Sequence, residues 1–340
     1  MIKVITKSSP FLHQDISVSV IMLKVLMALC PGILAMIYYL GWGVLINICL
    51  AIVVAVTAES LVMILRKRSI TDTVTDYSAV ITAVLLAIAL PAYAPWWITV
   101  VGILFAIIIG KQLYGGLGYN PFNPAMLGYV ALLISFPREM TQFVSPNEFS
   151  ANINFVESFK LIFEVNNFPV DAFTMATPID HLKTNLRLDH SMEAILQHSI
   201  YGIFGGTGWE IINACFFIGG LWLIYEKIIS WHIPVTVLLS IAFIATLFYW
   251  FNDEKYATPL FHLTSGATIM AAFFIVTDPV NSASSYIGKL LIGCGVGLLT
   301  YIIRTWGGYP DGVAFAVLLM NMTVPVINYY IKPKVFGYDN

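Results

Sequence analysis

The chain has 340 residues, of which 59% are hydrophobic and only 11% charged. Soluble domains carry about 25% charged residues, so this composition excludes a water-soluble globular protein and makes lipid the solvent. A formal net charge of −2 with no basic run excludes a nucleic-acid binder.

The N-terminal stretch, residues 1–15, is polar and carries Lys3 and Lys7. No short apolar core with a small-residue cleavage site follows it, so residues 17–40 are expected to be a retained first span and not a signal peptide. A spanning helix needs roughly 20 apolar residues. Residues 17–40 and 43–65 meet that length. The next apolar run, 78–90, is too short and stops at Pro91; 95–109 follows, and then a short 123–136. A polar region from Pro137 to about His198 separates this group from a second one. There 209–225 and 233–251 are ordinary spans, 264–276 is short and ends at Asp278-Pro279, and 287–303 and 312–331 complete the set.

The chain therefore reads as an all-α polytopic membrane protein of about ten transmembrane helices. Its expected parts are an N-terminal membrane repeat (1–136), an external loop (137–198) and a C-terminal membrane repeat (199–340). The repeat is visible in residues as well. Ser78-Ala-Val-Ile-Thr-Ala, ending at Pro91, parallels Ser265-Gly-Ala-Thr-Ile-Met-Ala, ending at Pro279. Tyr114-Gly-Gly with Asn120-Pro121 parallels Trp306-Gly-Gly-Tyr-Pro310. Five helices per half is an odd number, so the second repeat is expected to run inverted. Matched short, proline-interrupted helices in inverted repeats point to a ligand site near the midplane.

Cations set the expected orientation. With the N-terminus inside, the inner side holds Lys3, Lys7, Arg66, Lys67, Arg68, Lys111, Lys227, Lys289, Lys332 and Lys334. The outer side holds Arg138, Lys160, Lys183, Arg187, Lys255 and Arg304, four of them in the one long loop, where charge bias counts least. This places the N-terminus in the cytoplasm and loop 137–198 outside, in the periplasm of a bacterial inner membrane. Cys30, Cys49, Cys215 and Cys294 lie far apart in apolar stretches. That leaves no local iron–sulfur or zinc motif and no disulfide framework. Buried thiols acting as small hydrophobes are expected.

The most informative polar segment is Asp171-Ala-Phe-Thr174-Met-Ala-Thr177-Pro in the long loop. It is close to the D-x-x-[ST]-G-A-[ST] pattern, whose last hydroxyl accepts flavin mononucleotide (FMN) through a phosphate ester; Met175 stands in the glycine place. Thr268, in Ser265-Gly-Ala-Thr268, matches the core of the pattern better, but His262 stands where the acid belongs. Thr268 also opens an apolar helix, where a bulky anion lacks water and access, so Thr177 is the expected acceptor. The bland reading of Thr177 is a helix start, with Thr177 at N-cap, Pro178 at N1 and Asp180 at N3. The two readings are compatible, because a phosphate at an N-cap faces free N–H groups and the positive end of the helix dipole.

Intramembrane acids are the next candidates: Asp278, Asp311 and Glu59. Charges at membrane depth are costly and line cavities or ion paths. For Asp278 a helix-end cap is the equal alternative, and for Asp311 it is the preferred one. The stretch Gly115-Gly-Leu-Gly-Tyr-Asn-Pro-Phe-Asn-Pro124 is not a dinucleotide fingerprint, since no strand precedes it. Irregular backbone at this depth either packs in protein or lines a cavity. Asn120 and Asn123 can hydrogen-bond a polar ligand there, or simply cap helices.

Several segments together resemble one family, formed by the D subunits of the bacterial Rnf (Rsx) electron transport complex and the B subunits of sodium-translocating NADH:quinone oxidoreductases. The resemblance starts at Ser8-Ser-Pro-Phe-Leu-His13 and runs to the last span. It is carried by Lys111-Gln-Leu-Tyr-Gly-Gly-Leu-Gly-Tyr-Asn-Pro-Phe-Asn-Pro-Ala-Met126, Ala176-Thr-Pro-Ile-Asp180, Ser265-Gly-Ala-Thr268 with Ala272-Phe-Phe-Ile-Val-Thr-Asp-Pro-Val280, and Gly307-Gly-Tyr-Pro-Asp-Gly-Val-Ala-Phe-Ala316. It implies a translocase subunit that passes electrons between ferredoxin-like and NAD-linked partners, coupled to ion movement. It also implies covalent FMN on Thr177, a noncovalent riboflavin in the membrane core, and assembly in lipid with the A, B, C, E and G subunits, especially the flavin-bearing G subunit. Without the resemblance, an inverted five-helix repeat also suits a urea-type solute channel, and a redox-silent scaffold is the third reading.

Overall fold

Ser17 starts the first helix, its hydroxyl accepting from the Val20 N–H. From here the computed structural model describes residues 17–144, 146, 153–163, 174–309 and 311–332. α1 (Val18–Leu40) and α2 (Gly43–Leu65) form the first pair. A short α3 (Ile70–Val74) leads to α4 (Ser78–Ala89), which stops before Pro91. α5 (Trp96–Leu104) continues without interruption as a π-helical segment, Phe105–Gln112. α6 (Pro124–Ser135) is capped by Asn123, whose side chain accepts from the Met126 N–H, and α7 (Pro137–Met140) closes the half.

The connecting region holds β1 (Phe143–Val144), α8 (Phe155–Phe163), β2 (Thr174–Met175), α9 (Pro178–Arg187) and α10 (Met192–Leu196). β1 and β2 pair antiparallel, with Phe143 opposite Met175 and Val144 opposite Thr174. The second half consists of α11 (Trp209–Tyr225), α12 (His232–Phe251), α13 (Pro259–Thr264), α14 (Thr268–Met270) with its π-helical continuation Ala271–Ile275, α15 (Tyr286–Trp306) and α16 (Val313–Tyr330).

The protein is an all-α, multi-pass membrane protein. Among the described residues α1, α2, α12, α15 and α16 are long and apolar enough to cross a bilayer, and α4, α5 with its π segment, α6 and α11 are shorter apolar helices. Packing repeats between the halves. α2 lies along α4 and α5, and α12 lies along α13 and α15. The halves meet through equivalent helices, α1 on α11 and α6 on α16, as a two-fold relation between them requires. Gly219 permits the first of these contacts, since a Cβ there would lie 2.0 Å from the Ala28 carbonyl oxygen. With no hydrophobic force between helices in lipid, such backbone approach through small residues is what holds them together.

Each half also anchors its helix break with a buried asparagine. Asn47 on α2 donates to the carbonyls of Pro91 (3.3 Å) and Ala92 (3.0 Å). Asn213 on α11 donates to those of Thr264 (2.7 Å) and Gly266 (3.2 Å). Exposed carbonyls at a break in an apolar environment cost several kcal/mol each, which these amides offset.

Four expectations change. The short helix expected at 264–276 is broken: α13 ends at Thr264, and α14 restarts at Thr268 after Gly266, whose φ of 65° is left-handed. Lys111 does not sit in a loop; it belongs to the π-helical continuation of α5 and is 1% exposed, because Glu59 neutralises it. Arg304, also counted with the loops, is 2% exposed and paired with Asp311. The thiols of Cys30, Cys49 and Cys294 are exposed, on apolar helix surfaces, because the solvent outside those helices is lipid.

Candidate functional site

Thr177 is the N-cap of α9, in extended backbone (φ −62°, ψ 156°), with Pro178 at the first helical position. Its Oγ accepts from the Asp180 N–H at 3.3 Å. The cap is therefore real, and the hydroxyl's own proton is not used by that bond. α9 is fixed from the side by Tyr201, whose hydroxyl shares a hydrogen bond with His181 Nδ1 (2.9 Å) and donates to the Pro178 carbonyl (3.4 Å). Burial, and then neighbouring His198, hold the His181 imidazole below its usual range, so it is neutral near pH 7. Thr174 lies in β2, three residues ahead of the cap, and Asp171 falls outside the described residues.

Thr177 lines a cavity between the two halves. Its walls are apolar and aromatic, with Tyr129 from α6, Trp209 and Phe216 from α11 and Met270 from α14. Asn213 and Asp311 supply polar groups. The lining matches small-molecule sites, which are mostly apolar with a few placed polar groups. Asp311 holds the floor together: its carboxylate accepts from Arg304 Nε (2.9 Å) and NH2 (3.1 Å) and from the N–H groups of Ala267 (3.0 Å) and Val313 (3.2 Å). It is thus both the expected cap of α16 and the counterion of a buried arginine. Gly266 must be glycine here, because a Cβ would lie 2.5 Å from Asp311 Oδ2 and 2.7 Å from Ile179 Cδ1.

Thr268, the competing hydroxyl, is 1% exposed and donates to the carbonyls of His262 (2.9 Å) and Ser265 (3.4 Å). It is enclosed in the break between α13 and α14.

A second cavity lies at the other ends of α4 and the 268–278 segment. Asn120, Asn123 and Asp278 line it together, with Ser78 and Lys111. Here Asp278 Oδ1 accepts from the Val280 N–H (3.0 Å) and Oδ2 from Asn281 Nδ2 (2.9 Å). Asn120 donates to Asn281 Oδ1 (3.4 Å) and to the Phe122 carbonyl (3.0 Å). Asn321 accepts from the Asn123 N–H (3.2 Å) and donates to the Asn281 carbonyl (2.9 Å). Asn281 and Asn321 thus lock the two halves together at this cavity. Neither is distinguished in the sequence, except that each is an amide inside a membrane-facing stretch. On the opposite wall Lys111 Nζ donates to Glu59 Oε1 and Ser78 Oγ, both at 2.6 Å, and Gln112 Nε2 reaches the same carboxylate oxygen at 2.7 Å.

The NQR2, RnfD, RnfE family profile matches residues 5–337. The chain belongs to that family. Curated members include the D subunit of the ion-translocating oxidoreductase complex of Escherichia coli (strain SE11), 50% identical over 343 residues and covering 97% of both chains. The proteins of the same name from Shigella boydii serotype 18 and Shigella flexneri serotype 5b match at the same identity and coverage. Against these family members the match is end to end, so both cavities and the α9 cap lie within the shared region.

Proposed function

We propose that this chain is the flavin-bearing membrane subunit of an Rnf-type ion-translocating oxidoreductase, with FMN esterified to Thr177 and riboflavin held in the Asn120–Asp278 cavity. The observation that carries the reading is the placement of Thr177. A hydroxyl with its proton free caps a helix N-terminus on the wall of an aromatic cavity. Bound there, the two flavins would supply the electron-transfer chemistry that the side chains of this chain lack. Thr177 would hold the phosphate against the N-terminal N–H groups and dipole of α9. Trp209, Phe216 and Met270 make the cavity walls apolar, and Asn213 offers a polar edge. In the second cavity, Asn120 and Asp278 offer hydrogen-bonding groups beside the Lys111 ammonium.

The two cavities share no lining residue, which disfavours the solute-channel reading. Ultraviolet fluorescence of the denatured polypeptide in a gel tests the reading directly. A yellow-fluorescent band supports it, and a dark one from cells making the whole complex leaves a scaffold or channel. The chain would work with the A, B, C, E and G subunits of such a complex, the flavin-bearing G subunit being its nearest redox partner.

The same reading sets the orientation in the inner membrane: N-terminus cytoplasmic, loop 137–198 periplasmic. Reporter fusions after Arg68 and Lys227 are expected to report cytoplasm, and one near Asn152 periplasm. A cytoplasmic signal at Asn152 refutes the inverted plan.

Asp278 carries a further expectation. Its carboxylate is held by an amide and a backbone N–H, with no cation partner among the described residues. We assign it to the coupling of ion movement to electron flow. Asp278→Asn keeps the shape and removes the charge, so the assembled complex should retain flavin on Thr177 and lose at least about tenfold in ion transport or electron flow. Normal rates and gradients would return Asp278 to the role of a helix-end residue.

A further inference from the structure

A third cavity lies on the far side of α9 from the Thr177 site. Lys183, Arg187, Lys255 and Arg304 line it, and among the described residues no carboxylate does. Arg304 is neutralised from behind by Asp311. The other three basic groups have no ion pair among the described residues. Lys183 and Arg187 sit four apart on α9, hence on one face. Each spends part of its donor capacity on the C-terminal end of α15. Lys183 Nζ donates to the Ile303 (3.3 Å) and Tyr309 (2.8 Å) carbonyls, and Arg187 NH2 to the Gly307 carbonyl (3.1 Å). Capping α15 therefore explains part of their placement. It leaves further N–H donors on the guanidinium and the ammonium, and it leaves Lys255 unexplained.

One buried polar atom behind the cavity wall lacks a hydrogen-bond partner. His262 is 6% exposed and its Nδ1 is unbonded. Burial, and then the adjacent Arg187, press the Lys183 ammonium below the usual lysine range, with Asp180 and Asp311 offsetting only part of this. An anion in the cavity would relieve that repulsion.

The remaining wall says which anion. Tyr256, Trp306, Leu182 and Leu186 make it aromatic and aliphatic. The cavity opens beside the ends of two membrane-spanning helices, α12 and α15, where Trp250 and Phe251 are 86% and 85% exposed. Aromatic rings at span ends mark the headgroup level of a bilayer. A basic pocket at that level, with an apolar wall, fits a phosphodiester that carries acyl chains.

We propose that this cavity binds the headgroup phosphate of an anionic phospholipid, which ties α9 to the ends of α12 and α15. The proposal needs only the membrane setting and is independent of the flavin assignment. The test uses the purified full-length protein in detergent, titrated with phosphatidylglycerol, phosphatidylcholine or inorganic phosphate and read by native mass spectrometry and thermal shift. Phosphatidylglycerol should bind and raise the melting temperature, and phosphatidylcholine should do neither. Lys255→Glu alters an exposed side chain outside the α15 cap, and it should weaken phosphatidylglycerol binding at least about fivefold. Lys183→Gln with Arg187→Gln should weaken it further. Equal binding of the two lipids, or unchanged affinity in Lys255→Glu, overturns the proposal. Saturation by inorganic phosphate with no added effect of lipid overturns the lipid assignment and leaves a free-anion site.

Discussion

Thr177→Ala is expected to leave the denatured polypeptide dark under ultraviolet light, while Thr268→Ala stays fluorescent. The two threonines differ in what their hydroxyls are doing. Thr177 Oγ accepts one bond from the Asp180 N–H and opens on a cavity. Thr268 is 1% exposed and gives its proton to backbone carbonyls inside a helix break. A transferase must reach the oxygen it esterifies, which only the first allows. Loss of an N-cap threonine costs about 1 kcal/mol, too little to unfold the protein, so a dark band from Thr177→Ala reports chemistry and not misfolding. Thr177→Ser keeps both hydroxyl and cap and should retain flavin. A dark Thr268→Ala with a bright Thr177→Ala would reverse the assignment.

Gly219→Leu should be the most disruptive single change in the membrane region. The α1–α11 contact joins the two halves, and any Cβ at Gly219 would fall 2.0 Å from the Ala28 carbonyl oxygen. That neighbour is backbone, so relief requires α1 and α11 to move apart. Overpacking of a tight contact costs about 1–3 kcal/mol and occasionally more, and leucine brings four heavy atoms where none fit. The cavity beside Thr177 takes Met36 from α1 and Phe216 from α11, so it deforms with the contact. Expected outcomes are a lower melting temperature in detergent, an aggregated fraction on size exclusion and reduced flavin loading. Gly308→Ala is the control, because nothing lies within 4 Å of its added Cβ. Wild-type behaviour of Gly219→Leu would show that the halves do not depend on this approach.

Local signals and long-range ones were not equally legible in the sequence. The Thr177 cap is written within four consecutive residues, Thr-Pro-Ile-Asp, and it forms as its spacing implies. The helix order and the short α4 could be read from apolar run length and proline position. The break at residues 265–267 was hidden because residues 259–264 already look helical and Gly266 could be read as part of a motif. Lys111 misled for a different reason. A lysine following an apolar run reads as a loop cation unless Glu59, 52 residues earlier, is known to face it. The same holds for Asn281 and Asn321, whose partners lie up to 198 residues away. What escapes a sequence reading here is pairing across the bundle, since an intramembrane polar group declares a need for a partner without naming one.

The placement of the two cavities at opposite ends of α4 has an energetic consequence. Ile88 and Ala89 line one cavity, and Ser78, Ile81 and Thr82 line the other. Twelve helical residues rise about 18 Å, more than half of a hydrocarbon core of about 30 Å. An electron passing between flavins in these cavities would therefore cross much of the transmembrane field without any ion moving. A full crossing is worth about 2.3 kcal/mol per charge at 100 mV, so this partial one is worth about 1.4 kcal/mol, or about tenfold in the equilibrium between the two sites. The membrane potential would then act on the redox step itself, and the energised state of the membrane would set how the electron is shared between the two faces of this one chain.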